Sequence, residues 1–254
     1  MMDKVETTGV APLIACGNFF FRYRNSVFLM VMLVLLVSFP PEWPGASRTY
    51  ELGVDIAGLI LALAGQALRA AVIGFVYIKR GGLNKRVYAD TLVTEGFFGV
   101  CRNPLYVGNF LMLAGLLLIH GNPWVIALGM TFFLFAYVSI VAAEEHFLSG
   151  KFGSDYSAYC RDVNRWWLDF GRLAGSTEGM RFNWRRVVIK DYSTFSTNIA
   201  TALVLLSYEA VHWHGFGGAQ PRLVICGILL LLLGAAALSI RYAKKSGRLK
   251  EHTS

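Results

Sequence analysis

Charge is scarce in this sequence: Asp, Glu, Lys and Arg together make up 16% of the 254 residues, against about a quarter in an ordinary soluble domain. A chain that poor in charge and 55% hydrophobic is excluded from the ordinary water-soluble class. Cysteine is scarcer still. The four cysteines, Cys16, Cys101, Cys160 and Cys226, stand far apart with no C-x-x-C pair, which argues against a zinc ribbon, a redox pair or a disulfide framework. Glycine follows no period and polar low-complexity tracts are missing, so collagenous and disordered classes fall away too. What the chain has in quantity is 18 Phe, 11 Tyr, 6 Trp and a mean hydropathy of +0.49. These point to a membrane. The net charge of +8 would suggest nucleic acid in a soluble protein, but here it is explained by sidedness across a bilayer, and no nucleic-acid partner is expected.

Runs near 20 apolar residues mark six candidate spans, at about 25–40, 53–78, 104–120, 123–141, 197–213 and 222–240. The expected fold is all-α, a polytopic bundle of transmembrane helices with about six spans. The first span, closed by Pro40, Pro41 and Pro44, lacks a small-residue cleavage site and is read as retained, with Arg22 and Arg24 snorkelling toward headgroups. Lys and Arg number 3 before it, then 1, 5, 0, 8 and 1 in the successive loops and 5 in the C-terminal tail. By the positive-inside rule that alternation places both termini in the cytoplasm. Segments 79–103 and 142–196 then face the cytoplasm with 9 of the 16 acidic residues, so the active site is expected on that side. A division follows into 1–64, a core over 65–167, and a linker with two further spans over 168–254.

The third and fourth spans are separated only by Gly121, Asn122 and Pro123, which forces an antiparallel hairpin. Their cytoplasmic ends therefore meet, bringing Arg102, Asn103, Pro104 and Tyr106 beside Glu144 and Glu145. Pro104 suits the first turn of a helix, whose free N–H groups and dipole end favour an anion. Adjacent carboxylates point about 100° apart on a helix, so one faces inward while the other meets water or Arg102. Burial of that carboxylate is explained either by a cationic ligand or by a salt bridge to Arg102.

The blocks Leu92-Val93-Thr94-Glu95-Gly96, Arg102-Asn103-Pro104-Leu105-Tyr106-Val107-Gly108, Glu144-Glu145-His146-Phe147-Leu148 and Phe152-Gly153-Ser154-Asp155-Tyr156-Ser157-Ala158-Tyr159 resemble, in this order around a short hairpin, the isoprenylcysteine carboxyl methyltransferases and their phospholipid methyltransferase relatives. That resemblance spans about residues 65–167. It implies S-adenosylmethionine as cofactor and methyl transfer to a lipid or an isoprenylcysteine-like carboxylate held in the membrane. Carried over residue by residue, the cofactor contacts fall on Asp90, Thr91, Leu92, Val93, Phe98, Asn103, Pro104, Leu105, Tyr106 and Glu144. Asp90 and Asn103 stand where the eukaryotic enzymes have histidines, and Phe98 where they have tyrosine. Ile140 stands in place of their substrate-carboxylate arginine. Arg102, Glu145 and Arg69 are the catalytic candidates, with Arg69 expected to supply the cation missing at Ile140. Phospholipid N-methylation is an alternative. A membrane sterol-type reductase using NADPH is another, because Arg102, Asn103 and Tyr106 with Tyr156, Tyr159 and Cys160 also resemble those enzymes.

Arg69 lies deep in the second span on the face of Gln66 and must turn toward the bundle or a wet cavity, since arginine in lipid costs at least a few kcal/mol. Asp55, near the other end of that span, is expected to see interfacial water. His212, Trp213 and His214 read as an aromatic belt rather than a metal site, with no carboxylate or cysteine nearby to complete one, and Arg165, Trp166 and Trp167 as an interfacial anchor, for which the family resemblance implies a share in substrate gating as the alternative. A reporter fused after Ser254 tests the topology: the charge count requires a fluorescent protein there to glow and an alkaline phosphatase to stay inactive. Phosphatase activity would put the C-terminus outside and overturn the orientation.

Overall fold

The computed structural model describes residues 3–42, 48–76 and 87–249. It is a helical membrane bundle with no strand among the described residues. The helices are α1 (Asp3–Ser38), α2 (Arg48–Phe75), α3 (Pro104–His120), α4 (Pro123–Asp162), a single turn α5 (Leu173–Ser176) and α6 (Trp184–Lys245). α1, α2, α4 and α6 contain stretches long and apolar enough to cross a membrane, and α3 is a shorter apolar helix. The apolar run at 104–120 coincides with α3. The others are extended: α1 is helical from Asp3, well before the first apolar run, and α4 continues some 20 residues past its apolar part. The last two apolar runs lie in α6, which bends at Gly215, where φ is 63° and ψ is 175°. Glycine alone adopts that backbone readily. Residues 77 and 78 at the end of the second run, the basic residues 79, 80, 85 and 86, and Ser254 lie outside the described residues.

α2 packs chiefly on α3, α1 on α4, and α6 against both α2 and α3. Lipid is as apolar as leucine, so helices in a membrane are held by close van der Waals fit and polar contacts rather than by escape from water. Gly58 and Gly65 sit two turns apart on one face of α2, opposite Gly115 and Gly108 of α3. A Cβ at Gly65 would stand 2.5 Å from the Gly108 carbonyl oxygen, and one at Gly115 would stand 2.4 Å from that of Gly58. These glycines set the backbone separation. Between α1 and α4 the contact is aromatic: Phe20 and Phe21 bury themselves against Phe133, Ala136, Tyr137 and Ile140. At the hairpin turn the Asn122 side chain accepts from the Trp124 and Val125 amides at 2.9 and 3.4 Å and donates to the Pro40 carbonyl at 2.9 Å. One side chain thus caps α4 and ties it to the end of α1.

Arg69 does turn into the bundle, where it is 2% exposed. Its guanidinium meets Asp191 of α6 at 2.5 Å and donates to Asn109 of α3. The second Asp191 oxygen accepts from Gln66 at 2.7 Å. Asp55 differs from expectation. It is 5% exposed, because α6 covers its face with Glu209; with Glu51 these carboxylates approach within 4.8 Å of one another, and Arg222 stands 4.0 Å from Glu209. Removing one member of a buried ion pair strands the other, at about 3–5 kcal/mol. Asp191→Asn should therefore lower unfolding stability in detergent by several kcal/mol, while Arg69→Met joined with Asp191→Leu should cost clearly less than the two single changes added. Strict additivity would show that the pair does not couple α2 to α6.

Candidate active site at the mouth of the hairpin

Glu144 stands 21 residues beyond Pro123 in α4, about 32 Å at the helical rise, which is about the thickness of the hydrocarbon core. Glu144 and Glu145 thus stand in the middle of α4, where a span begun at Pro123 would reach the membrane surface. The start of the antiparallel α3 lies beside them. The two carboxylates take different partners, as their angular separation requires. Glu144 accepts a hydrogen bond from the Tyr106 hydroxyl at 2.8 Å, joining α4 to the first turn of α3. Glu145 is held by Arg102 at 3.6 Å and by the Nε and Nη2 groups along one edge of the Arg165 guanidinium, with Nε at 3.1 Å. Of the two explanations for an inward carboxylate, the salt bridge to Arg102 therefore goes to Glu145, and Glu144 pairs with a neutral hydroxyl.

Behind this pair, segment 98–103 is stitched to the chain that leaves α4. The Arg102 amide donates to the Asn164 carbonyl at 2.8 Å, the Asn103 side chain to the Arg165 carbonyl at 3.1 Å, and the Tyr159 hydroxyl to the Phe98 carbonyl at 2.7 Å. The Asp169 amide donates to the Val100 carbonyl at 3.1 Å. Cys101 is fully buried in this seam. Burial pushes its thiol up to about 11, so it stays protonated and donates weakly to the Arg165 carbonyl at 3.5 Å. That is a packing cysteine rather than a nucleophile. Burial pulls the Arg102 guanidinium down, but Glu145 and the Cys160 sulfur that it contacts outweigh burial and hold it above its ordinary value.

The stretch before the seam runs along the far end of α4. Lys151 donates to the carbonyls of Ala89 and Asp90, the latter at 3.4 Å, and Leu92 packs on Tyr156, Tyr159 and Val163. Tyr88 donates to the Asp90 carboxylate, which holds the phenol above its usual range. Asp90 and Thr91 are exposed, Leu92, Val93 and Phe98 are half-buried, and Asn103 and Pro104 are buried at the start of α3 beside half-buried Leu105 and Tyr106. A cavity of about 780 Å³ opens between α1 and α4, reaching Ala143 next to Glu144. A second of about 640 Å³ lies over Thr94, Tyr159 and Val163.

Arg102, Asn103, Pro104, Leu105, Tyr106, Glu144 and Glu145 thus meet at one place, while Asp90 reaches α4 two turns further along at Lys151 and Leu92 further still, against Tyr156, Tyr159 and Val163. Arg69 does not join them. Its partners Asn109, Asp191 and Thr194 lie deeper, with Asn109 five residues into α3. Three residues of the neighbourhood escape a sequence reading. Arg165 reads as an interfacial anchor yet clamps Glu145, Lys151 borders the Phe152-Gly153 block without a role in that pattern, and Asp191 stands in a polar stretch far from Arg69. The signal for Asp191 was Arg69 itself, since a buried cation requires a buried anion.

This geometry is that of a helical membrane protein with a polar site at the surface end of a hairpin. Residues 54–155 match the family model described as phospholipid methyltransferase, a member of the group of membrane methyltransferases that the sequence motifs resemble. The match supports methyltransferase chemistry in general. The cobalt-zinc-cadmium resistance protein CzcN of Cupriavidus metallidurans is 27% identical over 201 residues, covering 78% of this chain and 83% of that protein. The nickel-cobalt-cadmium resistance protein NccN of Alcaligenes xylosoxydans xylosoxydans is 26% identical over 144 residues, covering 57% of this chain and 64% of that protein. No solved structure matches the chain.

If Glu145 is the clasp that holds Arg102 and Arg165 together, Glu145→Gln loses charge-assisted bonds of about 1.5–3 kcal/mol. Hydrogen exchange of the amides in segment 98–103 should then speed up by about tenfold or more, with α3 unchanged. Unaltered exchange there would mean that the backbone seam holds without the clasp.

Proposed function

We propose that the hairpin mouth binds S-adenosylmethionine and that the protein transfers its methyl group to a carboxylate on a membrane-embedded acceptor. The observation that carries this reading is the Tyr106–Glu144 hydrogen bond across the hairpin, inside the segment that matches the methyltransferase family. The residues present suit the group. S-adenosylmethionine carries a sulfonium and an ammonium, and Glu144, hydrogen-bonded by a neutral hydroxyl with Arg24 as the nearby cation, presents a carboxylate of the opposite charge. Asp90 adds a second carboxylate on the same side, and in the first turn of α3 the amide open to a ligand is that of Leu105, since Pro104 has no N–H and the Asn103, Tyr106 and Val107 amides donate within the chain.

When bound, the cofactor supplies an activated methyl: the acceptor oxygen bonds to the methyl carbon as the carbon–sulfur bond breaks, and S-adenosylhomocysteine leaves. The chain's own residues hold and shield. Glu144 and Tyr106 fix the cationic end, residues 90–93 form the path along α4, and the Arg102–Glu145–Arg165 clasp keeps the start of α3 against segment 164–169. Attack by a carboxylate neutralises two opposite charges, so a site at the edge of the hydrocarbon core favours it and needs no general base. Arg69 serves this reading as a brace beneath α3 rather than as a group touching the acceptor. An amine acceptor would need to lose a proton first, with Glu144, Glu145 or Asp90 as the base candidates. The ion-sized carboxylate group Glu51, Asp55 and Glu209 lies toward the opposite end of α2 from Arg69.

Glu144→Gln should weaken S-adenosylhomocysteine about tenfold or more in calorimetry, since hydrogen bonds to a charged group contribute about 1.5–3 kcal/mol. The protein should elute and melt as the parent does, and Tyr106→Phe should lose less. Unchanged affinity in Glu144→Gln would remove Glu144 from the cofactor's contacts and the reading with it.

A further inference from the structure

The cavity of about 780 Å³ between α1 and α4 is of ligand size, and its lining is sorted by chemistry. Arg22 and Lys151 line it together with His146, and no Asp or Glu does. Phe19, Phe21 and Phe147 supply apolar walls. Arg24, stacked 4.8 Å over the Phe21 ring, adds a further cation behind one wall. The cavity's level is fixed by Ala143, which follows the apolar part of α4 and adjoins Glu144. A cationic, acid-free pocket with aromatic walls at the edge of the hydrocarbon core suits a molecule with an anionic head and an apolar chain.

Resting on the methyl-transfer reading, we propose that this cavity receives the acceptor, an amphiphile with a terminal oxyanion, and that Arg22 of α1 selects its charge. α1 lies wholly outside the matched segment 54–155, so acceptor choice belongs to a helix that this family match does not cover. Ile140 contributes no cation; it is fully buried against Phe20 and Phe21, immediately before the two arginines that α1 does offer. Lys151 already bridges to the carbonyls of Ala89 and Asp90. The exposed Arg22 is therefore the cleaner position to vary.

The test uses the full chain in a neutral maltoside detergent, with tetradecanoate, tetradecyl phosphate, tetradecanol and tetradecylamine as probes. Both anions should bind more tightly than the alcohol and the amine. Arg22→Gln should weaken the anions about tenfold, Arg22→Glu should weaken them further, and Arg22→Lys should restore them. S-adenosylhomocysteine affinity should stay within twofold in all three variants, which also shows that they are folded. Methyl transfer from labelled S-adenosylmethionine then separates the two anions, with label expected in the methyl ester of the carboxylate. The proposal is overturned if the alcohol or amine binds as tightly as the anions, or if Arg22→Gln leaves anion affinity within twofold. Failure of the parent protein to bind S-adenosylhomocysteine would instead sink the methyl-transfer reading, and the proposal that the bound amphiphile is its acceptor falls with it, whatever the anion preference.

Discussion

The link of Gly121 and Asn122 between α3 and α4 is the constraint from which the rest of the arrangement follows. Two helices joined so tightly must run antiparallel, and once they do, residues 38 apart in sequence, Tyr106 and Glu144, come within hydrogen-bond distance. Asn122 secures the closed end by capping α4 and holding the Pro40 carbonyl. The open end is then held by charge: Glu145 gathers Arg102 from the start of α3 and Arg165 from beyond α4. A closed turn at one face and an ionic clasp at the other define a rigid frame around Glu144.

Lipid shapes the remaining contacts. Without a hydrophobic drive between helices, α2 reaches α3 by removing side chains at Gly58, Gly65, Gly108 and Gly115, and the approach brings Arg69 onto Gly108 and Asn109. The arginine is tolerated at that depth because Asp191 of α6 neutralises it and Gln66 occupies the second carboxylate oxygen. The polar network thus ties three helices beneath the site, while the clasp ties the site's rim.

Local rules carry over to the structure where local rules decide. Pro104 and Pro123 open helices, the short link makes the hairpin, and adjacent Glu144 and Glu145 diverge onto different partners, all as the residue pattern implies. Arg69 turns inward because lipid leaves it no other direction. What stays hidden depends on distant chain segments arriving at the same point. Asp191 is polar sequence until Arg69 is placed beside it, Asp55 faces water until α6 brings Glu209 over it, and Arg165 is an anchor until segment 98–103 docks below it. The helicity of residues 3–20 is hidden by their mixed polarity, although Phe20 pairs with aromatics of α4 and its neighbour Phe19 lines the large cavity.

The central claim, that the mouth of the hairpin holds the methyl donor, is most directly tested by irradiating the purified full-length protein with methyl-labelled S-adenosylmethionine and mapping the labelled peptides. The account predicts label within residues 90–106 or on the peptide containing Glu144, and its loss when unlabelled S-adenosylhomocysteine is added. Label confined to the peptides of α6, or label that excess S-adenosylhomocysteine does not displace, would contradict it.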